Sequence, residues 1–413
     1  MTNWQEVKLG EICTIIDGDR GKNYPKSNEL QPQGYCLFLN TKNVPDNKFN
    51  FSECTFISKD KDELLGKGKL NYGDIVVTTR GTLANFAYYT KKCIYNKIRI
   101  NSGMVILRNE NKDLCTHYLY HFLISNNFKQ QVQSLATGSA QPQLPIKDMK
   151  NIIMNLPPID IQKKIAGVLG ALDDKIELNN KINNNLEQQA QALFKSWFVD
   201  FEPFGGTMPK DWKESDIYSI SNIIYGAPFA SKLFNTEKKG LPIIRIRDLK
   251  NQHSDTYTEE IHTKAYIIKA GDIVVGMDGE FRPYIWGNDE GLLNQRVCVF
   301  ENKRSLGKMF LYLTIKPLLN RVEQTEVATT VIHIGKQDFD AFRFSMPSNS
   351  ILDKFDAVTQ PIYNKIVSNS LENTRLASLR DALLPKLMSG EIDVSNVDIS
   401  ALTSADKLSF NKD

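Results

Sequence analysis

The side chains that could do chemistry in this chain are few and widely spaced. His117 and His121 stand four residues apart, a spacing that sets two imidazoles on one helical face where they could share a metal ion. The intervening residues lack the Glu that a zinc hydrolase uses as its base, and the chain has only 5 histidines, so the pair reads as a helix surface feature. Asn155, Pro157 and Pro158 superficially follow the N-P-P-[YF] pattern that grips a flipped adenine. Leu156 interrupts that pattern and no aromatic follows, which removes the stacking platform. Asp160 and Lys163 open a helix without a strand-borne carboxylate partner, so Asp160 reads as a charge at a helix N-terminus. Neither a G-x-x-x-x-G-K-[ST] phosphate loop nor a G-x-G-x-x-G turn occurs. No constellation qualifies as an active site.

Recognition is better represented than catalysis. Between Arg20 and Arg108 the chain carries 15 Lys and Arg against 7 Asp and Glu, a net of +8, whereas Gly226 to Arg304 carries 12 against 11. The first stretch is therefore suited to phosphates, and the second must place its cations more selectively. Arg and Lys suit the guanine edge, Asn and Gln the adenine edge, and Asp and Glu the cytosine edge. On that basis the candidates in the first half are Arg20, Lys22, Thr79, Arg80, Thr82, Lys97, Arg99, Asn101, Ser139, Gln141 and Gln143. In the second half they are Arg245, Arg247, Arg282, Tyr284, Gln295, Arg296, Thr329, Thr330 and His333. Polar loop tips also face solvent in most proteins, so the groups carry the expectation rather than any one residue.

The elements that must position these groups are written twice. Trp4 and its neighbours return at Trp212, an offset of 208. The run Gly73 to Val77, followed by Gly81, returns as Gly271 to Val275, followed by Gly279, an offset of 198. Ala136 and Thr137 return as Ala328 and Thr329, and Asp148 and Pro157 as Asp338 and Pro347, with offsets of 192 and 190. Order is kept while the offset shrinks, as loops of changed length would produce. Ile75–Thr79, Met104–Leu107, Ile152–Met154, Ile273–Val275 and Val297–Phe300 read as strands.

Each copy then enters a long polar–apolar helical segment behind a proline. Gly170 and Pro361 fall at matching sites and predict a break, leaving helices over 171–197 and 361–387, each about 40 Å long. Leu172, Ile176, Asn179, Asn183, Leu186, Ala190, Leu193 and Trp197 recur in steps of 4 and 3, as do Ile362, Ile366, Asn369, Asn373, Leu376, Arg380, Leu383 and Leu387. That is a coiled-coil rhythm with two asparagines on each seam, which would fix register if buried. Antiparallel pairing would put one globular part at each end of a dumbbell with pseudo-two-fold symmetry. Alternatively the asparagines face solvent.

Composition sets the outer limits. The chain has 413 residues, long for one domain and suited to two or three. Net charge is +3, apolar residues make up 41%, and no apolar run is long enough to cross a membrane. The N-terminus lacks a secretion signal, and the 6 cysteines form no C-x-x-C pair, which reads as reduced thiols in the cytoplasm.

With its two Trp-led starts, paired GDI-V segments, the Leu156-Pro157-Pro158 entry followed by Gln162 and Ile165, and two spacer helices, the chain resembles the specificity (S) subunit of type I restriction–modification systems over about residues 1–390. The second copy departs where Ser348 and Leu352 stand in place of Pro158 and Gln162. The resemblance implies an α+β fold of two similar target-recognition domains joined by two long antiparallel coiled-coil helices. The corresponding spans are 1–157, 158–200, 201–347, 348–390 and a polar tail over 391–413. It further implies a non-catalytic protein reading a bipartite, asymmetric site in double-stranded DNA, with the helices setting the spacer. Two methyltransferase (M) subunits and restriction (R) subunits would be its partners. S-adenosylmethionine, ATP and Mg would belong to them, leaving this chain without a cofactor. Ile165, Val168, Phe194, Trp197, Phe198 and Phe201 are candidates for docking those partners, or alternatively pack against this chain's own domains. The rival readings are a coiled-coil scaffold that binds proteins and a free-standing DNA methyltransferase or nuclease.

Overall fold

In the computed structural model the described residues are 4–138, 142–325 and 333–399. The chain divides into two units, Met1–Asp173 with Leu379–Asp413 and Asp174–Ser378. The division falls inside two long helices, Ile159–Phe198 and Asn349–Ser389, so each helix contributes to both units.

The strand Ile75–Thr78 shows how each unit is built. Ile75 and Val77 join a core with Val105, Leu107, Tyr118 and Phe122, while Val76 joins a second core with Leu37, Met104 and Ile106. Successive side chains point to opposite faces, so an unbroken apolar run marks a sheet buried on both sides. The sheet is antiparallel, in the order Thr14–Asp17, Met104–Arg108, Ile75–Thr78, Phe86–Tyr88. Its neighbour holds Cys36–Leu39 antiparallel to Phe56–Ile57 and parallel to Ile98–Ile100. A ribbon of Gln5–Lys8 against Ile153–Leu156 closes the unit.

The second unit repeats the plan with one strand more, Ile267–Ile268, which joins its smaller sheet antiparallel to Gly291–Leu293. Its main sheet runs Ser221–Tyr225, Val297–Asn302, Ile273–Gly276, Pro283–Ile285, with Ile273 and Val275 in one core and Val274 in another. Leu241–Ile244 again lies parallel to a partner, Gly291–Leu293, and Lys213–Asp216 pairs with Arg343–Met346. Two units of one α+β architecture follow from one duplicated pattern.

The repeated Gly-Asp of the sequence is an anchor for this sheet. Gly73 and Gly271 hold φ of 95° and 83°, the left-handed region that a Cβ disfavours. Asp74 then accepts from the Asn71 amide at 2.7 Å, and Asp272 from the Lys269 amide at 2.9 Å. Gln162 is a second anchor. It is fully buried, its Oε1 accepts from the Cys115 amide, and its Nε2 donates to the carbonyls of Asp113 and Pro157, all at 2.8 Å. Leu352 fills the equivalent place as a buried apolar side chain, so the departure in the second copy keeps burial and drops the polar ties.

The long helices pair antiparallel. In the second unit Asn179 Nδ2 donates to Asn373 Oδ1 and Glu372 Oε2 at 2.9 Å, and Asn369 Nδ2 donates to Asn183 Oδ1 at 2.8 Å. Asn179 and Asn369 are each 1% exposed, so the seam asparagines face one another rather than solvent. In the first unit Arg380 Nη1 meets Asp173 Oδ1 at 2.7 Å.

One expectation about these helices needs correction. Neither breaks at Gly170 or Pro361. A glycine costs a helix only about 1 kcal/mol, and buried Ile165, Ala166 and Leu169 hold the turns leading to Gly170. Pro361 lies on the exposed side, as does Ala357, whose carbonyl it leaves without a helical donor and therefore open to water. The start of the polar tail packs on the first unit. Val394 is 3% exposed in the first unit's core, Ile392 and Val397 pack beside it, and Lys164 Nζ donates to the Ser395 carbonyl.

Candidate nucleic-acid interface

At one end of each main sheet the same backbone joints recur with different side chains. The Thr79 amide donates to the Gly103 carbonyl, and the Met277 amide to the Arg296 carbonyl, each at 2.9 Å. The Leu144 amide donates to the Thr79 carbonyl, and the Ile334 amide to the Met277 carbonyl, again at 2.9 Å. Arg80 bridges to Gln143 as Asp278 bridges to His333. Gly18 and Gly226 approach these joints so closely that an added Cβ would lie 2.2 Å from the Asn101 carbonyl oxygen in one unit and 2.0 Å from that of Asn294 in the other. A side chain at either glycine would push the turn away. Three segments therefore converge on one joint, and each unit decorates it differently.

In the first unit the exposed tips are Arg80, Thr82 and Gln143, with Arg20 beside them. The Arg20 guanidinium donates to the Ser102 carbonyl at 3.2 Å and pairs with Asp17 at 3.0 Å, which fixes it against the 101–103 turn. Asn101 is half-buried and accepts from the Gly103 amide at 2.9 Å, so its carboxamide shapes the turn. Lys22 is exposed, and Lys97 sits with its ammonium 3.6 Å from the centroid of the Tyr35 ring, a cation–π contact at the surface. Ser139 and Gln141 lie outside the described residues.

In the second unit Asp278, Arg296 and His333 form the tip. His333 Nδ1 lies 2.7 Å from Asp278 Oδ1 and 2.9 Å from the Met277 carbonyl, while Arg296 Nε is 3.7 Å from Asp278 Oδ2. Gln295 is exposed next to them. Arg282 is exposed and pairs with Glu280 at 3.4 Å, and Arg247 is exposed. Thr329 and Thr330 lie outside the described residues.

Several candidates turn out to hold the fold. Arg99 is 5% exposed, with its guanidinium bonded to the Asp62 carboxylate and to the carbonyls of Asp62 and Lys67. Burial disfavours the charged Asp62, but the bonds from Lys69 and Arg99 outweigh it and keep that carboxyl below its usual range. Arg99 therefore cannot reach a ligand. Thr79 is 3% exposed and acts through its backbone. Arg245 is half-buried, donating to Asp248 at 3.3 Å and to Thr256 at 2.7 Å, and so braces the short helix Ile246–Leu249. The Tyr284 ring packs beside the core of Val274, Trp286 and Val299, and burial raises its hydroxyl pKa.

The docking set likewise resolves toward burial in this chain. Ile165 is fully buried in the first unit, with Val168 packed against that core. Phe198 lies 5.0 Å from Phe310 and 4.9 Å from Phe355, Phe194 lies 5.8 Å from Phe310, and Trp197 lies 5.7 Å from Phe355. Phe201 lies 5.7 Å from Trp212. These rings pack the C-terminal end of the first long helix against the second unit, and each of the four stays partly exposed.

His121 also departs from expectation. It is 3% exposed rather than on the helix surface, and burial lowers its pKa to about 3. Among the described residues no three His, Cys, Asp or Glu side chains converge as a metal-binding set, and no helix is long and apolar enough to cross a membrane. Thr41 and Ser102, which residue type alone does not single out, line the first unit's joint. Glycines 208 residues apart at positions 18 and 226 were the available signal.

Comparison with known proteins agrees with this duplicated arrangement. The profile of the type I restriction modification DNA specificity domain matches residues 1–188 and 209–374. The type I restriction enzyme HindI specificity subunit of Haemophilus influenzae is 26% identical over 95% of this chain and 100% of its own length. The MjaIX specificity subunit of Methanocaldococcus jannaschii is 27% identical over 79% of each chain. The crystal structure of the S subunit of a type I restriction–modification system from M. genitalium shares the fold, with a TM-score of 0.55 and 16% identity over 94% of this chain and 96% of that one.

Proposed function

Since the chain belongs to the family of type I restriction–modification DNA specificity subunits, we propose that its two units each read one half of a bipartite, asymmetric site in double-stranded DNA. The observation that carries this reading is the pair of matching joints with unlike tips: Arg80 and Gln143 on one, Asp278, Arg296 and His333 on the other. Two frames with the same backbone and different polar ends are suited to two different short sequences. The paired helices set the separation of the half-sites, because that separation follows from how far apart the readers are held. Methyltransferase and restriction subunits supply catalysis together with S-adenosylmethionine, ATP and Mg. This chain brings no cofactor and no active site, and it works in the cytoplasm.

Selection from randomised duplexes with the purified full chain tests the proposal. A two-part sequence motif is expected, with binding that weakens as salt rises because phosphate contacts supply much of the affinity. Arg80→Ala is expected to relax one position of one half-site by about 1–3 kcal/mol. Arg80→Ala binding both cognate and scrambled duplexes as wild type does would remove that residue from the interface. Turnover of labelled S-adenosylmethionine on DNA by the isolated chain would overturn the non-catalytic assignment.

A further inference from the structure

The two joints do not present their cation from the same place. In the first unit Arg80 stands at the end of the central strand, and the facing turn offers Gly103. A Cβ at Gly103 would lie 3.1 Å from Thr41 Cγ2 and 3.2 Å from Asn101 Oδ1, so that side of the joint is crowded. In the second unit the strand end carries Asp278 and the facing turn carries Arg296. Cation and small residue have given way to anion and cation across one backbone joint.

We infer that Asp278 is a positioning residue of the second unit, aiming Arg296 and His333 as its base-reading pair, with Arg296 directed at a guanine edge. This inference rests on the DNA-reading function proposed above. An ionised carboxylate only accepts, so the 2.7 Å contact puts the hydrogen of His333 on Nδ1, shared with the Met277 carbonyl. The imidazole is thereby held at a set angle with Nε2 as its remaining polar edge. Arg296 Nη1 lies 3.3 and 3.4 Å from the two ring nitrogens, the geometry of a guanidinium over the imidazole face, and its Nε is drawn toward Asp278 Oδ2. Arg296 is 54% exposed, so one end of its planar fork is steered by the carboxylate and ring while the side chain stays open to solvent. A guanidinium held this way matches the two acceptors, O6 and N7, that guanine presents in the major groove. Asp278 itself is less exposed than either residue it holds, at 28% against 54% and 46%. Its place is behind them.

The test uses the full chain with duplexes carrying the sequence it selects, each base pair changed in turn. Asp278→Asn and Arg296→Ala are each expected to lower discrimination by about tenfold at the same single position of one half-site. The other half-site, read by the first unit, is expected to keep its profile in both variants and so reports on folding. The double variant Asp278→Arg with Arg296→Gly transplants the first unit's arrangement and is expected to discriminate better than Arg296→Gly alone. The inference is overturned if Asp278→Asn keeps the full wild-type profile, or if it weakens cognate and scrambled duplexes equally. It is also overturned if the double variant discriminates no better than Arg296→Gly. A wild-type chain that selects no sequence at all would bring down the functional reading itself, which is a separate outcome.

Discussion

Replacing one asparagine of the helix seam should harm the protein more than replacing two. Asn369 is 1% exposed, and its Nδ2 donates at 2.8 Å to Asn183 Oδ1. Asn369→Leu removes that donor and leaves the half-buried Asn183 oxygen without its partner, which costs about 1–3 kcal/mol. Asn183→Leu removes the matching acceptor and strands the Asn369 amide at a comparable cost. In the double variant neither orphan remains. The other groups that Asn183 touches are already served, since Ser370 Oγ donates to the Ile366 carbonyl at 2.9 Å. Two leucines facing each other in a coiled coil are then close to neutral or stabilising, so the coupling in the cycle should equal the summed single costs, about 2–6 kcal/mol. Urea denaturation of the full chain and its single and double variants measures this, with amide exchange along 176–186 and 363–376 as a local readout. A double variant whose loss equals the sum of the two singles would refute the pairing argument. A second effect separates stability from specification. The buried asparagines fix register, so the double variant, although well folded, is expected to accept more than one half-site separation when duplexes with randomised spacers are offered.

Arg99→Met should destabilise the first unit by about 3 kcal/mol, because it leaves the buried Asp62 with Lys69 alone, while the selected base sequence stays unchanged; a denaturation curve and a selection experiment check the two halves. His121 should make stability depend on pH. Burial lowers its folded pKa to about 3, below the ordinary value of about 6.5, so the unfolded chain takes up the proton first. Its contribution is complete above about pH 6.5 and is lost at about 1.4 kcal/mol per unit as pH falls toward 3. His121→Leu should flatten that slope between pH 6.5 and 5 in urea titrations.

The frame was legible in the sequence because its signals are backbone requirements and burial patterns. Gly73 and Gly271 mark left-handed turns, and the apolar runs after them mark strands buried on both faces. Asparagines in matching seam positions pointed to pairing of the two helices, with solvent as the alternative, and the hydrogen bonds across the seam decide between them. Helix continuity was misread for a physical reason. Gly170 and Pro361 are locally unfavourable, and sequence alone does not show that tertiary packing on both sides outweighs them. Arg99 was misassigned because residue type says what a side chain can bond and not whether the fold has already taken it. Asp62 lies 37 residues before Arg99, beyond the reach of any local pattern.

The tips are harder to read because the joint a side chain leaves is set by register rather than by type. Arg80 and Arg296 look unrelated when the copies are aligned by their GDI-V runs, since position 80 corresponds to Asp278 and not to an arginine. Only the matching hydrogen bonds from Thr79 to Gly103 and from Met277 to Arg296 show that both guanidinia leave opposite sides of one joint. A duplicated protein can therefore change what each copy reads without altering its sheet. On the reading proposed above, it needs only to move a charge across the joint and to supply a counter-charge beside it, as Asp278 stands beside Arg296. Loops tolerate such exchanges cheaply, whereas strands buried on both faces do not. That asymmetry explains why Ile75–Val77 and Ile273–Val275 are identical while the residues beyond them differ almost completely.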